Sequence, residues 1–286
     1  MRVAKSFQTT AALNCAVRAA RASGQIMREN FHSKKKIDSA TQHDIKLELD
    51  VRCQKRIEAI LQRGFPQIPI LGEEGVTGDA NAPYRWVVDP IDGTVNFTYG
   101  IPHACVSIAL QGPASAKKTQ RSSRLGETPT GDGGYETLAG AVYDPFCNEL
   151  WTAIRGQPAR LNGRLIRVSQ RKELAEAIIS IGFAKEASTM QKMLPAFNQL
   201  VHRVRKMRIM GSAALSMVYV ASGRMDGYVE YGLRLWDIAA GGLILECAGG
   251  DFFRRPLPGD YSYEIVANNG KLRETLQSFV SPNSAT

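Results

Sequence analysis

Short apolar runs of strand character alternate with stretches of helical period along almost the whole chain, and that rhythm leaves few architectures open. From Ala11 to Asn30, Leu13, Ala16, Val17, Ala20 and Met27 fall on one helical stripe that Arg18, Arg21 and Arg28 largely avoid. A second helix is predicted from Lys46 to Arg63, with Leu49, Cys53, Ile57, Ile60 and Leu61 at helical spacing and "GFPQIP" to end it. "IPILG", "RWVVD", "HACVSIAL", "TLAGAVYD" and "ELWTAI" read as strands. The polar segment Gln111 to Tyr135 reads as a flexible hairpin excursion, too long for an ordinary loop.

The second half continues with "AIISIGF" as a strand and a helix from Met190 to Val204. "RIMGSAALSMVYVASGRMDGYVEYG" reads strand, helix, strand, and "WDIAAGGLILECAGG" a helix opening at or near Trp236. "YEIVANN" is a late buried strand and "KLRETLQSFV" a terminal helix. The expected fold class is therefore α/β, with helices covering sheets and no internal repeat. With 286 residues, 44% of them hydrophobic, the chain can build one large domain or two modest ones sharing an interface. The halves are taken as 1–150 and 151–286, with the boundary falling between residues 145 and 175.

Lysine and arginine exceed the acids by 36 to 27, a formal +9, which attracts anions such as phosphate esters or nucleic acid. The runs "KKK" (34–36), "KKTQRSSR" (117–124) and "HRVRKMR" (202–208) carry much of it. None is interleaved with aromatics as a stacking platform would be, so they read as solvated faces. Five cysteines, at 15, 53, 105, 147 and 247, form no Cys-x-x-Cys pair and sit in apolar segments. They are expected to be reduced and buried, as in an intracellular protein. The first residues carry arginines where a secretion signal needs an apolar run, and nothing approaches a membrane span. A cytoplasmic location is expected.

Chemistry concentrates in "WVVDPIDGT", Trp86 to Thr94. An apolar strand ends on Asp89, Pro90 fixes the backbone, and Asp92 and Thr94 follow at a spacing that can bring three oxygens to one side of a tight turn. Gly93 removes bulk where a ligand would approach the backbone. Asp is also an ordinary cap and turn residue, so either acid alone says little. Together they repel unless a cation lies between them, and a hard divalent ion is the usual remedy. "LGEEG" adds Glu73 and Glu74 just past a strand, and "RLWDIAA" adds Asp237 at a helix start. With four histidines and no clustered cysteines, an oxygen-ligated ion such as magnesium fits and zinc does not.

The combination of "GEE", "WVVDPIDGTVNF" and "YVEYGLRLWDIAAGGLILECAGG" resembles the inositol monophosphatase family of magnesium-dependent, lithium-sensitive phosphatases, over roughly Ala11 to Phe279. The resemblance implies a five-layer αβαβα sandwich, usually as a homodimer, with two or three Mg2+ ions per active site. It places the metal-binding acids on Glu73, Asp89, Asp92 and Asp237, with the Ile91 carbonyl as a further ligand. Asp50 and Thr94 match the pair near the nucleophilic water, and Glu74 an acid close by. Asp50 would accept a hydrogen bond from the Thr94 hydroxyl. Gly93 and Thr94 would open a helix whose N–H groups receive phosphate. Gly211, Ser212 and Ala213 match the substrate-facing turn, and Glu230 the acid that grips inositol hydroxyls.

The implied reaction is hydrolysis of a phosphate monoester, inositol monophosphate foremost, by direct attack of water and without a phosphoenzyme. Three local departures matter. "HDIKLELD" before Asp50 brings Lys46 and Glu48, which face solvent or alter substrate contacts. "KKKIDS" leaves open which of Lys34, Lys35 and Lys36 approaches the site. Arg234, between Glu230 and Asp237, either solvates a loop or binds a second phosphate. That keeps fructose 1,6-bisphosphate, histidinol phosphate and 3′-phosphoadenosine 5′-phosphate open as substrates, whereas Glu230 favours polyol hydroxyls. An RNA- or transcription-complex-associated regulator on the same scaffold is the alternative from another class.

Overall fold

The protein is described here by a computed structural model covering residues 2–40, 45–79, 81–114, 134–183 and 187–280. Helices α1 (Arg2–Asn30) and α2 (Glu48–Gly64) form its outer face on one side. Between them, β1 (Ile37–Ala40) and β2 (Ile45–Leu47) pair as a small antiparallel ribbon. The second helix thus starts at Glu48, not Lys46. The Asp50 carboxylate accepts the Leu47 N–H at 2.8 Å, capping the first turn there. The Lys46 side chain lies outside the described residues.

An eight-stranded sheet follows. Its strands are β3 (Ile70–Gly72), β4 (Gly75–Thr77), β5 (Arg85–Asp92), β6 (Cys105–Pro113), β7 (Tyr135–Asp144), β8 (Glu149–Ile154), β9 (Arg160–Leu161) and β10 (Arg164–Leu165). Their spatial order is β10-β9-β8-β7-β6-β5-β3-β4. β5 is buried at every position, which fits its unbroken apolar run Trp86–Val88 in place of an alternating pattern. Gln111 and Tyr135 belong to β6 and β7, which pair antiparallel. The expected excursion between them, and the basic run 117–124, fall mostly or wholly on 115–133, outside the described residues.

The second sheet comprises β11 (Ile178–Ile181), β12 (Lys206–Arg208), β13 (Gly227–Arg234), β14 (Asp251–Pro256) and β15 (Ser262–Asn268), in the order β12-β11-β13-β15-β14. Its helices are α4 (Ala187–Leu200), α5 (Ala213–Ala221), α6 (Leu235–Cys247) and α7 (Arg273–Val280). The helix predicted from Met190 to Val204 therefore begins earlier and stops at Leu200. Beyond it Arg205 N–H turns to the carbonyls of Leu174 and Ala177, which leads the chain into β12.

Three cores define the layers. One joins α1 and α2 to the outer face of the large sheet through Cys15, Ala19, Ile57, Trp86 and Ile108. The central core sandwiches α5 and α6 between the two sheets, joining Val87 and Trp151 to Leu215, Ile238, Ile244, Tyr228 and Ile265. The third holds α4 and α7 against the outer face of the smaller sheet. The order is αβαβα, as the resemblance implied. Close approach in the middle depends on missing side chains: a Cβ on Gly140 of β7 would lie 3.1 Å from the Ala240 Cα of α6.

Cys15, Cys53 and Cys105 are buried and free, as expected, but Cys147 is exposed in the turn after β7. There Asp144 accepts its N–H and that of Phe146, a polar turn that the neighbouring apolar residues concealed. Among the described residues no helix is long and apolar enough to cross a membrane.

Candidate active site

The register of β5 explains why a strand ends in two acids. Asp89 lies opposite Ser107 and Asp92 opposite Cys105, so three steps on β5 match two on β6. In a regular strand, residues three apart face opposite sides. The extra residue restores their parity, and both Asp89 and Asp92 line one cavity of about 1000 Å³. Asp89 Oδ1 accepts the Ile91 N–H at 3.0 Å, holding the kink. Gly93 then takes φ 96°, and α3 (Thr94–Thr98) begins.

Glu73, just past β3, and Ile91, Gly93 and Thr94 line the same cavity. So do Gly211, Ser212 and Ala213 at the start of α5, Glu230 and Arg234 of β13, and Asp237 in the first turn of α6. Asp50 and Glu74 do not. Asp50 is buried beneath the α2 terminus, and Glu74 offers its N–H to Gln54 at 3.0 Å. The Thr94 hydroxyl donates to the Ile91 carbonyl at 2.9 Å, not to Asp50. Sequence spacing could not rank those two acceptors, one three residues away and one supplied only by folding.

Asp92 is held by three hydrogen bonds from the start of α5. It accepts the Ser212 hydroxyl at 2.6 Å, the Ala214 N–H at 2.7 Å and the Ala213 N–H at 3.2 Å. The turn expected to face substrate thus grips this carboxylate. Burial pushes the Asp92 carboxyl above the usual carboxylate range, while those three hydrogen bonds pull it back. Asp237 Oδ2 accepts the Arg234 N–H at 2.7 Å, and the Arg234 guanidinium donates to the Asp260 carbonyl at 2.8 Å. Asp237 is a helix cap and a cavity acid at once. Arg234 lines the cavity while anchored to its rim.

None of the three clustered lysines lines the cavity. Lys35 donates to the carbonyls of Asn30 and Ser33 at 2.7 and 2.9 Å and lies 4.7 Å from the centre of the Phe97 ring. Lys36 pairs with Glu48 at 3.4 Å across an exposed surface, and Lys34 is exposed.

Residues not anticipated from sequence complete the site. Asn96 donates to the carbonyls of His103 and Met210, at 2.9 and 2.8 Å, and so ties the α3 segment to the turn before α5. Tyr228 donates its hydroxyl to Glu230. Strand alternation alone would have put those two side chains on one face.

Among the described residues, no three His, Cys, Asp or Glu groups stand close enough to cage an ion in this arrangement. The donor chemistry still fits a hard cation. Glu73, Asp89, Asp92 and Asp237 offer carboxylate oxygens and Ile91 a carbonyl, and the lining holds no cysteine or histidine. A buried carboxylate such as Asp92 is costly to keep charged without positive charge nearby.

Comparison with known proteins places these residues in a wider set. The sequence model of the inositol monophosphatase family matches residues 9–114 and 134–278. A protein of Xylella fastidiosa named "Nus factor SuhB" is 36% identical over 280 residues, 94% of each chain. "Inositol monophosphatase 1" of Solanum lycopersicum is 35% identical over 275 residues, 92% of each. The crystal structure of the extragenic suppressor protein suhB from Bartonella henselae superposes with a TM-score of 0.80 at 30% identity, covering 96% of this chain and all of the other.

Proposed function

The chain belongs to the inositol monophosphatase family, and from that premise we propose that it hydrolyses inositol monophosphate to inositol and phosphate by direct attack of water. Metal-dependent hydrolysis of a phosphate monoester is the activity the family carries; the inositol ester is the particular substrate inferred. One observation carries the reading: Glu73, Asp89, Asp92 and Asp237 meet in one cavity that also exposes Glu230.

In this reading those four carboxylates and the Ile91 carbonyl hold two or three magnesium ions. Bound magnesium supplies positive charge for the phosphoryl and leaving oxygens and a more acidic water. Thr94 spends its proton on Ile91, so its oxygen is left to accept a hydrogen bond from the attacking water and orient it. The first amides of α3, which no helical carbonyl can satisfy, are the donors assigned to phosphoryl oxygens. Glu230 accepts from the hydroxyls of the leaving polyol. Asp50 acts at one remove, by fixing the start of α2, and Glu74 sits beside Glu73 without facing the substrate.

A phosphate-release screen with magnesium tests this across myo-inositol 1-phosphate, fructose 1,6-bisphosphate, histidinol phosphate and 3′-phosphoadenosine 5′-phosphate. Fastest release from the inositol ester, abolished by a chelator, is expected. Faster release from a bisphosphate would move the assignment to a second-phosphate site at Arg234. No release from any ester would end the enzymatic reading.

A second reading is favoured by the name of the Xylella fastidiosa relative and by a basic surface, with Arg203, Arg205, Lys206 and Arg208 all exposed. It holds that the chain also serves in an RNA- or transcription-associated complex. RNA binding that weakens with salt yet survives Asp92→Asn would support it. A homodimer and a cytoplasmic setting accompany the main proposal, the former to be checked by sedimentation.

A further inference from the structure

Glu230 has two neighbours that decide where its carboxylate can lie. One is Gly182, directly after β11, whose N–H is bound to the Val229 carbonyl at 3.1 Å. A Cβ built on Gly182 would overlap the Glu230 carboxylate. The other is Tyr228, two residues earlier on β13, buried in the central core with its hydroxyl donated to Glu230 Oε2, the same oxygen that this Cβ would meet first. Burial, then the charge of Glu230, push the Tyr228 phenol well above its ordinary range, so it stays a donor. The carboxylate therefore lies where the glycine leaves room, with one oxygen engaged from behind and only 8% of the residue exposed.

We propose that Tyr228 is a positioning residue for substrate choice: by engaging one oxygen of Glu230 beside Gly182, it fixes the direction in which that carboxylate meets substrate hydroxyls. This rests on the polyol-phosphate reading above. A carboxylate free to turn offers its lone pairs to any donor. One fixed by a buried hydrogen-bond donor meets substrate hydroxyls in a defined direction, so it discriminates among hydroxyl arrangements. Tyr228 touches no substrate in this account. Its effect on catalysis passes through Glu230.

The test uses kcat/KM for myo-inositol 1-phosphate relative to that for 4-nitrophenyl phosphate, an ester without hydroxyls. Wild type, Tyr228→Phe, Glu230→Ala and the double variant are compared, with thermal melting to confirm folding. Tyr228→Phe is expected to lower the ratio about fivefold. In the Glu230→Ala background the same change should have no further effect on the ratio, because its route is already cut. Gly182→Ala, whose Cβ would press on the same Oε2 that Tyr228 engages, should lower the ratio too and serves if Tyr228→Phe folds poorly. A ratio unmoved by Tyr228→Phe, or lowered equally with and without Glu230, overturns the positioning role alone. A wild-type protein with no preference for the inositol ester overturns the substrate reading and this inference with it.

Discussion

At position 93 the backbone turns at φ 96°, and a Cβ there would lie 2.9 Å from the His103 carbonyl oxygen and 3.2 Å from that of Gly211. Gly93→Ala should therefore cost about 1–3 kcal/mol of stability, read from denaturant melts. It should also depress turnover, since Asp92 and Thr94 flank the same turn. Asp92→Asn tests charge instead of shape: it should cut turnover about a hundredfold or more at saturating magnesium while circular dichroism stays native. The Asp89 and Asp92 pair was legible because four consecutive residues, Asp89 to Asp92, carry it. The expected hydrogen bond from Thr94 to Asp50 gives way here to one from Thr94 to the Ile91 carbonyl, three residues back in the same turn. The lysine register was unreadable because Lys35 finds its partners in the helix end behind it, not in the cavity.

Elements with one strong period were read nearly to the residue, among them β8 and α6, while β5 runs three residues past the expected "RWVVD", to Asp92. Those missed carry little apolar signal. β9 and β10 have two residues each, β4 has three, and β14 is the charged edge strand "DFFRRP". On β14, Arg255 lies opposite Glu264 of β15 and pairs with it, although Glu264 is only 1% exposed. Burial raises the Glu264 carboxyl against the pull of Arg255. The native group then holds its proton to higher pH than the unfolded chain does. Its contribution is complete below the ordinary carboxylate range and is lost as pH rises through the native value. Glu264→Gln should consequently gain in melting temperature relative to wild type as pH rises from the ordinary carboxylate range toward neutrality. A gap that stays constant would remove this group from the pH response.

For the whole molecule, alternation alone reached α/β, and the five-layer order came from the family resemblance. The two alanines and two glycines after Asp237 allow close packing, and the middle layers sit close there. Gly140 lies against Ala240, and Gly242 of the same helix leaves room for Phe252 from the second sheet. Gly140→Val should wedge β7 from α6, costing about 1–3 kcal/mol by thermal melts, and should lower turnover by drawing Asp237 away from Asp89 and Asp92.

The cavity acids belong to different layers: Asp89 and Asp92 to the large sheet, Asp237 to the central helix, Glu230 to the small sheet. Their mutual repulsion acts across the seams between those layers. A cation held among Glu73, Asp89, Asp92 and Asp237 works as a rivet, so ion loading should slow amide exchange at the ends of β3, β5 and α6 together. Chelation should release all three at once, and exchange that changed at one of them only would show that the plates are not joined there.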